Sequence, residues 1–126
     1  MQFSATWQDV LAGRKTMTRR IAKPTDTAVM GGQHGDQVEA VRGPKMLRWA
    51  VGRTYPVQPG RGKHAIGRIR ITAICYCERA GGISEEDSRA EGFESASEFR
   101  AVYGRLNGAE TLDQPCWALS FVVVDD

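Results

Sequence analysis

A chain of 126 residues with 41% hydrophobic and 25% charged residues is long enough for one domain with its own core, and too balanced for a disordered or fibrous protein. No run approaches the roughly 18 apolar residues of a membrane span. The start "MQFSATWQDV" lacks the basic-then-apolar pattern of a secretory signal, so one cytoplasmic domain over residues 1–126 is expected. The net charge of +2 conceals a split: residues 1–70 carry 13 Lys and Arg against 4 Asp and Glu, a balance of +9, and residues 71–126 carry 4 against 11, a balance of −7. That split predicts a basic face for phosphates and a separate acidic face, unless the fold interleaves the two halves.

"ATWQDVLAG" places Trp7, Val10 and Leu11 at i, i+3 and i+4, the spacing of a short amphipathic helix, with Ser4 or Thr6 as cap and Gly13 as stop. "KTMTRRIA" alternates in character and predicts a strand that ends at Lys23-Pro24. On it Thr16, Thr18 and Arg20 share one face. Residues 24–48 are rich in glycine and polar residues and show little periodicity, which predicts a long loop acting as a mobile lid. "VGRTYPVQPGRG" reads as a strand between turns. "AIGRIRITAICYC" is the clearest strand, with Ile69, Ile71, Ala73 and Cys75 on one face and Arg68, Arg70, Thr72 and Ile74 on the other.

Ser84 before Glu85, Glu86 and Asp87 marks a helix start, and Gly92 interrupts. Ser95 or Ser97 caps a second helix holding Phe99, Val102, Tyr103 and Leu106, which Asn107-Gly108 ends. "CWALSFVVVDD" is a last strand with Trp117, Leu119, Phe121 and Val123 on one face. Strands flank helices without regular βαβ alternation, so the expected class is α+β, a small mixed β-barrel with helices packed on its ends. Cys75, Cys77 and Cys116 form neither a disulfide framework nor a zinc-ligand pattern with His34 or His64, and are expected as small buried hydrophobes.

Two stretches carry chemistry. "GRGKHAIG" resembles a phosphate-cradling loop only superficially, because His64 follows Lys63 and a strand follows that. A basic hairpin tip that touches a phosphate backbone fits better, with Arg61, Lys63, Arg68 and Arg70 as a positive strip. "LAGRKTMTRR" gathers Lys15, Thr18 and Arg20 behind a glycine turn. Thr18 offers a nucleophile, Lys15 a base once burial lowers its pKa, and Arg20 a planar fork for a carbonyl or phosphate oxygen. The bland reading is a solvated basic strand. A third, acidic group is needed for proton traffic, and composition cannot choose among Glu85, Glu86, Asp87, Glu91, Glu94 and Glu98.

"GRKTMTRR" resembles the G-x-K-x-x-T-x-R signature of the ASCH domain family, with Gly13, Lys15, Thr18 and Arg20 in place. "VGRTYPVQPGRG", "AIGRIRITAI", "AEGFESASEF" and "CWALSFVVV" follow in the family's order, so the resemblance spans nearly the whole chain. It implies a PUA-like β-barrel with flanking helices and a cleft for RNA or a nucleotide. One bacterial branch hydrolyses N4-acetylcytidine with a Lys, a Thr and a Glu. Carried over, these are Lys15, Thr18 and the Glu91 of "RAEGF", with no metal or cofactor, and with Arg20 holding the ligand or the strand. Other members are described as ribonucleases or RNA-binding modules. The 24–48 segment departs from the short amidohydrolases, which have a tighter connection there. The implied partner is RNA or a modified nucleoside.

Overall fold

An 11-residue strand is the spine of the molecule, and every other strand is tied to it directly or through one neighbour. The computed structural model describes residues 1–124. In chain order the elements are α1 (Trp7–Leu11), β1 (Met17–Ile21), β2 (Thr27–Gly31), β3 (Gln37–Arg42), β4 (Leu47–Ala50), β5 (Thr54–Val57), β6 (Gly67–Cys77), α2 (Glu85–Ala90), α3 (Ala96–Asn107) and β7 (Cys116–Val124). The seven strands form one antiparallel, barrel-like sheet in the order β1-β7-β6-β3-β2, with β4 on β3 and β5 on β6. The class is α+β, as expected from the sequence.

The alternation of β6 holds only over its first half. Ile69 and Ile71 are buried, and then a register shift between Ile71 and Ala73 resets the phase. Ile74 therefore turns inward, while Ala73 and Cys75 are exposed, the reverse of the face assignment made from period two. On β7, Trp117, Leu119 and Phe121 are buried as predicted, but Val123 lies exposed near the strand end.

The expected lid over residues 24–48 is instead a three-strand meander, β2–β3–β4. Val41 and Trp49 enter a cluster with Ile71, Ile74, Trp117 and Leu119. The glycines that suggested a loop sit at its turns: Gly32 and Gly35 both have positive φ, between β2 and β3. Short strands with bulges at Val29/Met30 and Val41/Arg42 leave little clean alternation to read. Asp26 pins the meander to β7. Its carboxylate accepts from Trp117 Nε1 at 3.0 Å and from the Lys23 backbone at 2.8 Å, and it pairs with Arg48, which stacks over Trp49. Burial works against the charged carboxylate, but these hydrogen bonds and Arg48 outweigh it and hold the Asp26 pKa below its ordinary value.

Two further clusters complete the core. Phe3, Val10, Val57, Ile69 and Phe121 join α1 to the sheet, and Ala80, Ile83, Ala96, Phe99, Tyr103 and Cys116 seat α3. The Ser84 hydroxyl caps α2 by accepting from the Asp87 backbone, and Ser95 rather than Ser97 caps α3. Thr6 stands at the α1 N-cap without a side-chain cap bond. Because Asp26 is the shared acceptor of three donors, Asp26→Ala is expected to lower stability by about 2–4 kcal/mol. Hydrogen exchange should then accelerate first at β3 and β4. Unchanged protection there would mean that the meander is held by its apolar contacts alone.

Candidate functional site

The site is assembled where the turn after α1 meets the end of α2. Gly13, at φ 78°, reverses the chain, and the Arg14 and Lys15 amides both donate to the Asp9 carbonyl at 2.9 and 3.0 Å. The Thr16 amide then donates to the Ala90 carbonyl at 2.8 Å, docking the start of β1 on the last turn of α2. Gly92, at φ 94°, turns the chain out of that helix and leaves the Glu91 carbonyl open. Lys15 Nζ fills the opening: it donates to Glu91 O at 2.6 Å and to Glu91 Oε1 at 3.2 Å. A cation at a helix C-terminus satisfies an otherwise orphaned carbonyl.

The second Glu91 oxygen, Oε2, accepts from Arg19 Nη1 at 3.1 Å, and Arg19 Nη2 reaches Asp87 Oδ2 at 3.1 Å. Lys15 and Glu91 side chains are 4% and 3% exposed, so this is a buried network rather than a surface pair. Burial drives the Lys15 pKa below its ordinary value of 10.5, and the nearby Glu91 charge only partly offsets it. For Arg19 burial is also unfavourable, but Glu91 and Asp87 more than restore the cation. Arg20 Nη2 donates to the Gln2 carbonyl at 2.7 Å, and its guanidinium lies 5.1 Å from the Phe3 ring centre. Its Nε is buried without a partner among the described residues.

Lys15, Arg19, Arg20 and Glu91 line a cleft of about 310 Å³. Phe3 comes from the N-terminal segment, Thr18 and Arg20 from β1, Phe93 from the turn after α2, and Phe99 and Tyr103 from α3. The arrangement offers a hydroxyl, an amine with a depressed pKa, a carboxylate that orients that amine, and apolar walls.

Among sequence comparisons, no protein-family model and no curated protein matches the chain. Solved structures do. An ASCH domain from Lactobacillus crispatus JV V101 superposes with a TM-score of 0.66 at 20% identity, over 93% of this chain and 69% of that one. Protein EF3133 of Enterococcus faecalis V583, of the DUF984 family, gives 0.64 at 22% identity over 94% of this chain and 66% of that one. The fold is ASCH-like. The hypothetical protein PH0355 matches nearly end to end, with a TM-score of 0.63 at 13% identity over 98% of this chain and 96% of that one.

Within this ASCH-like fold Lys15, Thr18, Arg20 and Glu91 line one cleft. Arg61, Lys63, Arg68 and Arg70 do not line it. Arg61 and Lys63 are exposed on the β5–β6 turn, Arg70 is exposed on β6, and Arg68 donates to Thr54 Oγ1 at 2.9 Å. The cysteines also depart from expectation, since only Cys116 is buried while Cys75 is exposed. Cys77 pairs across the strands with Cys116. Its thiol is held down to about 6, first by the hydrogen bond with Cys116 and then, against burial, by Arg19.

Sequence reasoning missed Arg19 and Tyr103. Asp87 on α2 and Glu91 at its C-cap stand four apart, a spacing that presents two carboxylates to one cation, and this was the available signal for Arg19. Tyr103 was legible only as a core position of α3. The opposite pKa directions of the two buried cations predict unequal costs. Arg19→Met should lower stability by about 3–5 kcal/mol by stranding Glu91, and Lys15→Met should cost less than half as much. Protonated Lys15 is a burden below its folded pKa, so wild-type stability should climb as pH rises from that value toward 10.5. Lys15→Met should remove that climb in denaturant titrations. Equal losses from the two variants would contradict the assignment.

Proposed function

We propose that the cleft binds a nucleoside, free or within RNA, and that Lys15, Thr18 and Glu91 hydrolyse an N4-acyl amide on a cytidine-like base. The observation that carries this reading is the buried Lys15–Glu91 contact at 3.2 Å, beside Thr18 in the wall of an open cleft. A desolvated lysine with a lowered pKa is a base that a solvated one is not. In the proposed step neutral Lys15 takes the Thr18 hydroxyl proton as Oγ bonds to the acyl carbon. The carbon–N4 bond then breaks, and the leaving amine takes the proton from Lys15. Water hydrolyses the threonyl ester, again with Lys15 as base. Glu91 aims the amine through its carboxylate and its carbonyl. No metal or cofactor enters the scheme.

One observation favours a second reading, an RNA-binding module without catalysis. The Lys15 amine gives its hydrogen bonds to Glu91, and none to Thr18 among the described residues. The catalytic reading requires that contact to tighten as ligand binds. The two readings separate on incubation with N4-acetylcytidine. The catalytic one predicts release of cytidine, a loss of at least about 100-fold in kcat for Thr18→Val and for Lys15→Arg, and partial activity for Thr18→Ser. Because the neutral amine is the base, the rate should rise with pH through the depressed Lys15 pKa, below 10.5. No cytidine from the wild-type protein would leave the binding reading.

The strip of Arg61, Lys63, Arg68 and Arg70 lies outside the cleft and belongs, in this proposal, to RNA flanking the bound nucleoside. If all four touch single-stranded phosphates, RNA affinity should fall about 50-fold between about 50 and 200 mM salt. Arg61→Glu with Lys63→Glu should flatten that slope by about half. A flat salt response in the wild type would remove the strip from the interface.

A further inference from the structure

Two buried polar groups of the cleft-lining residues have no bonding partner among the described residues: the Tyr103 hydroxyl and the Arg20 Nε. A buried tyrosine hydroxyl ordinarily finds a partner, because leaving it unmet costs the desolvation of the group. Tyr103 and Arg20 lie close enough to influence each other's charge state. We infer that Tyr103 is a ligand-reading residue, which with Arg20 Nε donates to one carbonyl oxygen of a planar ligand.

The chemistry of the two groups narrows what they take. A guanidinium nitrogen donates and never accepts, so the incoming atom is an acceptor. A carbonyl oxygen has two lone pairs, one for each donor. Burial, foremost, pushes the Tyr103 pKa up, so the hydroxyl keeps its proton and donates. A phosphate fits less well. It would be stripped of water beside the Glu91 carboxylate and the Phe3, Phe93 and Phe99 rings, while the exposed cations Arg61, Lys63 and Arg70 lie elsewhere. Arg19 already has Glu91 and Asp87 as partners, and the Glu91 charge also favours the Arg20 cation, so a neutral oxygen adds no new charge to this group.

The walls supply the planar part of the argument. Phe99 and Tyr103 ring centres are 5.2 Å apart, and Phe3 lies under the Arg20 guanidinium. At about 310 Å³ the cleft is at the small end of ligand sites, the size for one base with its sugar. The inference rests on the nucleoside reading for the identity of the flat ring. That ring can bring its carbonyl from two sources, the ring carbonyl of the base or the acyl group on its exocyclic amine.

The test is calorimetric affinity of wild type and Tyr103→Phe for cytidine and 2-thiocytidine, and for N4-acetylcytidine in a Thr18→Val background that blocks turnover. Loss of one desolvated hydrogen bond corresponds to about tenfold in affinity. A tenfold loss on cytidine with less than twofold on 2-thiocytidine supports the inference and assigns the ring carbonyl. A tenfold loss confined to N4-acetylcytidine supports it and assigns the acyl carbonyl. No loss on any of the three, or the same loss on all, overturns it. Without ligand, Tyr103→Phe should not lower Tm, since the deleted hydroxyl has no bond to lose. A fall of several degrees would mean that the hydroxyl is already engaged within the protein, and would also overturn the inference. If wild type binds none of the three, the nucleoside reading fails and takes the inference with it. Wild-type binding that Tyr103→Phe leaves unchanged removes the inference alone.

Discussion

Glu91 is where the two halves of the chain meet. One carboxylate oxygen takes Lys15, the other takes Arg19, and its backbone carbonyl takes Lys15 again. Both cations come from the basic half and the carboxylate from the acidic half, so the charge split becomes a buried joint rather than two opposed faces. The joint constrains the fold. It holds the end of α2 against β1, and β1 is paired through β7 to the long strand β6. It also constrains the chemistry, because an amine so buried keeps its proton less readily than one in water.

The two buried cations beside Glu91 serve different ends. Arg19 has two carboxylates and reads as the structural partner, since its charge is stabilised in place. Lys15 has to share one carboxylate and is left strained toward neutrality. One partner is held charged while burial drives the other toward neutrality, a combination found in acid–base sites and in structural ion-pair networks alike. In the same cleft, Arg20 Nε and the Tyr103 hydroxyl are donors without a partner among the described residues. The Lys15 amine and these donors belong to residues that line the same cleft.

Local signals made much of this legible. The Ser84 and Ser95 caps follow from side-chain chemistry within a few residues and appear as read, and the apolar faces hold at Trp117, Leu119, Phe121, Phe99 and Tyr103 but fail at Val123 and Leu106, which are exposed near the ends of their elements. The meander of residues 27–50 was not legible, because its strands are short, bulged and glycine-flanked, and their burial comes from Trp117 and Ile74 far along the chain. The bulge in β6 hid itself for the same reason: a one-residue slip leaves no mark on composition yet reverses the face of Ala73 and Cys75. In the site, the glycine turn and the Lys15–Thr18–Arg20 spacing pointed to the cleft. Composition could not single out Glu91, which entered through the family signature. Arg19 was obscured because strand parity places it opposite Thr18, although both are buried. Arg19 reaches α2 through Asp87, and both Thr18 and Arg19 line the cleft.

The central claim is that the Lys15 amine is buried beside Glu91 and depressed in pKa despite it. Direct titration of the Lys15 amine by NMR, with side-chain isotopic labelling, tests this most closely. The account predicts a midpoint below 10.5 in the wild type, and a still lower one in Glu91→Gln, because Glu91 is the group that resists the effect of burial. A Lys15 midpoint at or above 10.5, unmoved by Glu91→Gln, would contradict the claim and leave the pair as an ordinary tie between helix and sheet.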